Sequence, residues 1–351
     1  MSAAIDVKKL GEICEVPGAP GFEQRIRQRV IAEVTPHVDE VTVDNLGNVI
    51  ALIKGKSDKK VMLGAHMDEI GFIVTHIDEK GFLRFHTLGG FDPKTLTAQR
   101  VIVHGRKDLI GVMGSKPIHV MSPEERRKPA DTKEYFIDLG MPAEEVKKYV
   151  RIGDSVTRER QLIQMGDCVN CKSIDNRVSV FILIELLKHL NNPPVDVYGV
   201  FTVQEEVGVR GASVSALNIH PDFGIGLDTT IAFDTPGAPA HEQVTRLGDG
   251  VAIKVMDAST ICDYRMVEFM RETAEKSEIK YQMEVLTAGG TDTMGIQRMV
   301  PGGSIAGAIS IPTRHIHQVI EMAHTQDIAL AIDLAEACIM RLDQYNWSHD
   351  A

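Results

Sequence analysis

Acids and histidines in this sequence collect where strands are expected to end: His66 and Asp68, Asp175, Glu205 with Glu206, Asp228, and His317. In an open α/β sheet, ligands gather at the carboxyl ends of the strands. Two imidazoles with several carboxylates, and no thiolate among them, make the ligand set of a hydrolytic metal site. Asp68 follows His66 by two residues, so in extended geometry both side chains share a face. A carboxylate placed there can accept the second ring proton of a ligating histidine and fix its tautomer. Taken singly, each residue has an ordinary explanation: Asp175 as a helix cap, Asp228 as a turn residue, His66 as a core histidine. Their joint placement points to one site.

The elements that must position these residues centre on Tyr198–Gly211, Y-G-V-F-T-V-Q-E-E-V-G-V-R-G. Val195–Val203 is β-branched and aromatic with almost no polar interruption, the pattern of a strand buried on both faces. It runs into Glu205-Glu206, then Gly208 and Gly211. A solvated loop is the ordinary reading of such a pair, because burying ionised carboxylates is costly unless a cation awaits them. On a continuing strand the two would point to opposite faces. Both serve one site only if the strand has ended and the chain turns, which the glycines permit.

Upstream, Asp6–Glu15 and Glu23–Val34 read as amphipathic helices around the breaker cluster Val16–Gly21. Val38–Asp44 and Val49–Lys54 read as a hairpin, and Lys60–Ala65 as a short buried strand leading to His66. From about Gly71 to about Val156 short strands with turn signals dominate, interrupted by one helix near Pro142–Tyr149. That density suggests a small β-barrel or sandwich inserted into a different architecture. The α/β rhythm then resumes. Asp175–Leu190 is expected to be helical, Phe223–Leu227 a strand ending at Asp228, and Cys262–Lys276 helical. Lys280–Val285 reads as extended, Thr291–Gln297 as helical, Gly303–Ile311 as a close-packed strand, and Ala323–Leu342 as one long final helix. The fold expected is therefore α/β, a sheet flanked by helices with an inserted, barrel-like β-rich domain. The bounds are residues 1–70 and 164–351 for the α/β domain and 71–163 for the insert.

A chain of 351 residues suits two domains, and 43% hydrophobic with 25% charged residues is ordinary for a soluble globular protein. The net charge of -11 argues against nucleic acid and anionic membranes as partners. No apolar run approaches the ~20 residues that span a bilayer, and residues 1–15 lack a signal-peptide core. Five cysteines, an odd number, suggest reduced thiols and the cytoplasm. Cys168-Val-Asn-Cys171 has C-x-x-C spacing, but no second pair completes a zinc ribbon and it opens no recognisable redox helix.

Five ordered segments carry a specific resemblance: His66-Met-Asp-Glu-Ile-Gly71, Ser173-Ile-Asp-Asn-Arg177, Val203-Gln-Glu-Glu-Val-Gly208, Gly226-Leu-Asp228 and Ile311-Pro-Thr-Arg-His-Ile-His317. With them the chain resembles the dinuclear metallo-aminopeptidases of the tetrahedral (TET), glutamyl and deblocking aminopeptidase family. The likeness extends into the insert, at Gly111–His119 and Tyr135–Gly140. It implies a zinc-exopeptidase-like mixed sheet and removal of the N-terminal residue from short peptides. It implies two divalent ions per chain, zinc in the first place, with cobalt and manganese tolerated by the same ligands. Asp175 would bridge both ions, Glu206 and His317 would complete one, and His66 and Asp228 the other. Glu205 would be the general base, acting on a metal-bridging hydroxide, and Asp68 would orient His66. The family usually carries tyrosine where this chain has His315. In an extended segment His315 and His317 point the same way, and the match of Arg314-x-Ile316 selects His317. The resemblance also implies a homo-oligomer, dimers joined through the insert and closed into a hollow tetrahedral dodecamer.

Three carboxylates against two divalent cations leave such a site net positive, which lowers the pKa of a shared water from about 15.7 toward about 7. Two other readings compete. An endoglucanase-type glycoside hydrolase needs carboxyls facing across a sugar, ~5 or ~6.5–9.5 Å apart, which adjacent Glu205-Glu206 supplies poorly. A metal-binding scaffold without catalysis would have no use for Glu205.

Overall fold

The computed structural model describes residues 4–350. Residues 1–3 and 351, which stand at the two ends of the expected α/β domain, lie outside the described residues. The larger core is built on an eleven-stranded mixed sheet. At its centre the buried strand Asp196–Thr202 runs parallel to Lys60–His66, which runs parallel to Phe223–Ile231, which in turn runs parallel to Ile305–Arg314. Three side-by-side parallel pairings send four chain ends to one edge. The hairpin Glu40–Val43 and Val49–Ile53 adds antiparallel strands on one side.

Helix Ile174–His189 is apolar nearly all round and buried along most of its length. Such a helix belongs inside. It packs on Phe223–Ile231 and Lys60–His66 and is covered by helices Val7–Cys14, Gln24–Val34 and Thr325–Ile339. No described helix is long and apolar enough to cross a membrane.

A second core fills a closed six-stranded barrel. Its strands are Gly71–Ile77, Leu83–Leu88, Arg100–His104, Asp108–Gly114, Phe136–Asp138 and Ser155–Arg158. Phe72, Val74, Val101, Val103, Ile137 and Val156 point inward and are buried. Closure leaves this small sheet no open edge. The short helices Pro123–Arg127 and Ala143–Tyr149 lie between its strands in the chain.

Two local expectations are corrected. Ala323–Leu342 is not one helix: Glu321–His324 is a strand, and the helix is Thr325–Ile339. Ladder hydrogen bonds to Cys168–Cys171 on one side and to Thr313–Arg314 on the other take the first residues into the sheet. The His324 ring then caps the helix by accepting from the Gln326 N–H at 3.1 Å. The strand at Phe223 does not end at Asp228 but runs to Ile231, held by its partner Ile305–Arg314. Val251–Met256, which carries no clear signal of its own, is a strand between Tyr281–Val285 and Ile305–Arg314. Cys168–Cys171 is likewise a strand, and all five cysteines are free thiols.

The turn after Asp196–Thr202 closes on itself. Asn48 accepts from the Val203 N–H at 3.0 Å and donates to the Gly211 carbonyl at 3.1 Å. A Cβ on Gly211 would stand 2.3 Å from Asn48 Oδ1 and 2.5 Å from the Val203 carbonyl oxygen. Gly211→Ala is therefore expected to cost about 1–3 kcal/mol by overpacking. The unfolding midpoint, compared with wild type at one protein concentration, should fall; an unchanged midpoint would show that the turn has room to give.

Candidate metal centre

Register places the first two residues. Gly226 pairs with Gly64, so Asp228 and His66, each two residues further along adjacent parallel strands, stand level on one face. His66 Nε2 lies 3.7 Å from Asp228 Oδ1 and 3.3 Å from Asp175 Oδ1. Asp175 enters from the start of the buried helix, where its peptide bond to Asn176 is cis. Asn176 donates to the Leu227 carbonyl at 2.8 Å, tying that helix start to the strand beside Asp228. The second oxygen of Asp175 lies 3.5 Å from His317 Nε2, which is 3.4 Å from Glu206 Oε2. Two groups of ligand atoms thus converge, His66–Asp175–Asp228 and Asp175–Glu206–His317, each within 4.8 Å, with Asp175 in both. Glu205 belongs to neither, although its Oε2 is 3.8 Å from His66 Nε2.

The strand has ended by Thr202, and Glu205 and Glu206 lie in the turn that follows. Asp68 holds that turn: its Oδ1 accepts the Glu205 N–H and its Oδ2 the Glu206 N–H, both at 3.1 Å. Glu23 accepts the neighbouring Gln204 N–H at 3.2 Å. His66 Nδ1 lies 3.1 Å from the Asp68 main-chain oxygen, with the Asp68 carboxylate 3.5 Å away. A carbonyl can only accept, so Nδ1 carries a proton toward it and Nε2 is the ring atom that faces Asp175 and Asp228, where a metal ion would take the place of a second proton. The nearest partner of the ring is therefore the Asp68 backbone, because the carboxylate is taken up by two amides of the turn.

His315 and His317 do not share an extended segment. Their φ values are +60° and +64°, and the chain turns at each. His317 is half-buried against Asp175 and Glu206 while His315 is exposed.

The electrostatics have a single cause, more buried carboxylates than cations. Burial pushes the Glu205 carboxyl well above its ordinary range, with Asp228, Glu206 and Asp292 adding to the shift against His66. Burial pushes Asp228 up to about 6 and Asp292 up to about 7. Burial would lower His66, but Asp175, Asp228 and Asp68 outweigh it and hold the ring well above its ordinary value. For His317 burial is likewise overcome, by Glu206 and Asp175, and the ring is pushed up to about 11. Asp175 lies well below the usual carboxylate range: burial raises it, and the two histidines overcome that. Asp175 Oδ1 and Glu206 Oε1 have no hydrogen-bond partner. The lysine lining this cleft, Lys254, is paired with Glu284 at 2.7 Å and Asp257 at 3.3 Å. Protons here do work that a divalent cation would do better, releasing them on binding. The donor set, imidazole and carboxylate without thiolate, fits zinc, cobalt or manganese.

The site opens into a cleft of about 490 Å³. Thr229–Ile231, Leu286 and Ala288–Thr291 line it beside both ligand groups. Every expected site residue is brought to this one place. Sequence reasoning missed Glu23 and Asp292, which is 2% exposed with an unpartnered Oδ1. Neither has a spacing that ties it to the other acids, so only the fold reveals them.

Comparison with known proteins agrees in extent. The sequence model of the family described as M42 glutamyl aminopeptidase matches residues 47–334. A lysyl aminopeptidase of Pyrococcus furiosus is 34% identical over 345 residues, covering 96% of this chain and 98% of that protein. An aminopeptidase of the archaeon Desulfurococcus kamchatkensis superposes with a TM-score of 0.92 at 38% identity, covering 95% and 94% of the two chains. The TET1 peptidase of Pyrococcus horikoshii superposes with a TM-score of 0.86 at 31% identity, covering 95% and 99%. Its structure is described as able to assemble into a tetrahedron or a large octahedral shell.

Because both ligand groups contain Asp175, its truncation should empty both. Elemental analysis of purified Asp175→Ala is expected to find divalent metal far below wild type. Retention of both ions at wild-type occupancy would rule out a shared carboxylate.

Proposed function

Since the chain belongs to the M42 glutamyl aminopeptidase family, we propose that it removes single residues from the free amino terminus of short peptides. Two divalent ions, zinc in the first place, would be held by His66, Asp175 and Asp228 and by Asp175, Glu206 and His317. The observation that carries this reading is the pair of ligand groups meeting at Asp175 with Glu205 beside them and outside both. When bound, the ions supply Lewis acidity, polarising the scissile carbonyl and acidifying water at the site.

The chain's own residues divide the remaining work. Glu205 is the general base: it takes a proton from the attacking water and returns it to the leaving amine. Burial and acidic neighbours raise its carboxyl in the metal-free chain; bound cations would oppose that shift and leave the carboxylate a base requires. Asp68 fixes Glu205 by its main chain and holds the His66 ring in one tautomer through Nδ1. The wall formed by Ile231, Leu286 and Ala288 receives the side chain of the departing residue.

A glycosidase reading finds no support in this geometry. It leaves His66 and His317, each set against carboxylates of the centre, without a role. A scaffold without catalysis leaves Glu205 buried among acids to no purpose.

We assign the chain a homo-oligomeric state with contacts through the barrel. Ile110 and Val112, two apart on one barrel strand, are 57% and 48% exposed, and Ile118 and Val120 beyond them are 60% and 64% exposed. Exposed apolar side chains grouped along one stretch of chain are material for such a contact. The reported assembly of the TET1 peptidase gives the same direction. The free thiols suit a reducing compartment, the cytoplasm.

Three measurements follow. Glu205→Gln should retain fold and metal and lose about two to four orders of magnitude in turnover. Assayed on one peptide with a free or an acetylated amino terminus, wild type should cleave only the free form, one residue at a time by mass spectrometry. Near-normal turnover by the variant moves the base elsewhere, and internal fragments sink the exopeptidase assignment. Ile110→Asp should lower the mass found by light scattering; an unchanged mass removes that strand from the interface.

A further inference from the structure

Glu321 belongs to neither ligand group and does not line the cleft, yet it touches the main chain of both Asp175 and His317. It is the first residue of the strand Glu321–His324 and is fully buried. Its Oε2 accepts the Asp175 N–H at 2.9 Å, and its Oε1 accepts the His317 N–H at 3.0 Å. One carboxylate therefore spans two residues that lie far apart in the chain. His317 needs such a hold, because its φ of +64° is one that residues other than glycine rarely adopt.

On the far side of Glu321 stands Arg158, the last residue of a barrel strand. It is 1% exposed, its Nη2 lies 3.9 Å from Glu321 Oε1, and it donates to the Lys172 carbonyl. Its Nε and Nη1 have no partner, so Glu321 is the charge that compensates it. Lys172 leads directly into Ser173-Ile-Asp175. Barrel, strand and ligand-bearing helix start thus meet at one buried carboxylate.

We propose that Glu321 is a positioning residue, fixing the distance and direction between Asp175 and His317. Two of the three members of Asp175–Glu206–His317 hang on it, against one of the three in His66–Asp175–Asp228. The first group therefore depends on it more. This rests on the two-ion reading above.

The test is calorimetric titration of metal-free protein with Zn²⁺ alone, comparing wild type with Glu321→Gln. Glutamine keeps the shape but turns an NH₂ toward one of the two N–H groups. The variant should bind one equivalent about 10–100-fold more weakly, the range for partners that orient metal ligands, and the other with a much smaller change. A role in stability alone would lower the thermal midpoint without separating the two equivalents. Two equivalents at wild-type affinity, or both weakened alike, overturns the proposal. If Glu321→Gln does not fold, Arg158→Met combined with Glu321→Gln removes both members of the buried pair and is read the same way. Failure of both to fold assigns Glu321 to the fold and also overturns it. Wild type that binds fewer than two equivalents sinks the two-ion reading instead, whatever the variants do.

Discussion

Carboxylates crowded out of water repel one another, and this protein holds Asp175, Glu205, Asp228 and Asp292 buried within one small region around His66. Each would cost several kcal/mol to bury ionised and alone. The arrangement persists because the sheet gives it no alternative. Parallel strands deliver His66 and Asp228 at the same level, and the largely buried helix delivers Asp175 beside them. The repulsion that the fold opposes is what gives the centre its attraction for cations.

Backbone amides do much of the opposing. Three successive N–H groups, from Gln204 to Glu206, are bound by Glu23 and Asp68, so the turn carrying two acids is pinned by two others. Negative side chains are thereby satisfied by N–H groups that a turn would otherwise leave unpaired. The acids of the turn are held by main-chain bonds, leaving their own oxygens free to face the cleft.

The barrel joins the same logic. Its first strand follows Glu69, which is bonded to Lys172 and lies 3.7 Å from Arg177 Nη2, and its last strand ends at Arg158. Arg177 is itself buried and donates to the carbonyls of Met67 at 2.6 Å and Ile13 at 2.9 Å. The first crossing thus runs through a buried ion pair to the segment that carries Asp175, and the second through Arg158, which donates to the Lys172 carbonyl and pairs with Glu321. A body with its own apolar core is in this way made part of the support of the site.

Much of this was legible in the sequence. The unbroken apolar run before Glu205-Glu206 marked a doubly buried strand, the dense short strands after Gly71 marked a barrel, and the residue types at strand ends marked the chemistry. These are local properties: periodicity and composition depend on neighbours in the chain, and the five motifs preserve their order along it. What the tertiary structure decided was which groups meet. Ala323 and His324 read as the start of the final helix and became the end of a strand because two other strands offered Glu321–His324 ladder bonds. Asp68 and His66 share a face in any extended segment, but only the turn at Glu205 determined that the carboxylate would be occupied by amides. His315 and His317 would share a face in an extended segment, but the chain turns at both and half-buries only His317. Asp175 stands at the meeting of two ligand groups because a helix start and three strand ends arrive at one point. That meeting depends on contacts between segments far apart in the chain, and no spacing within any one of them encodes it.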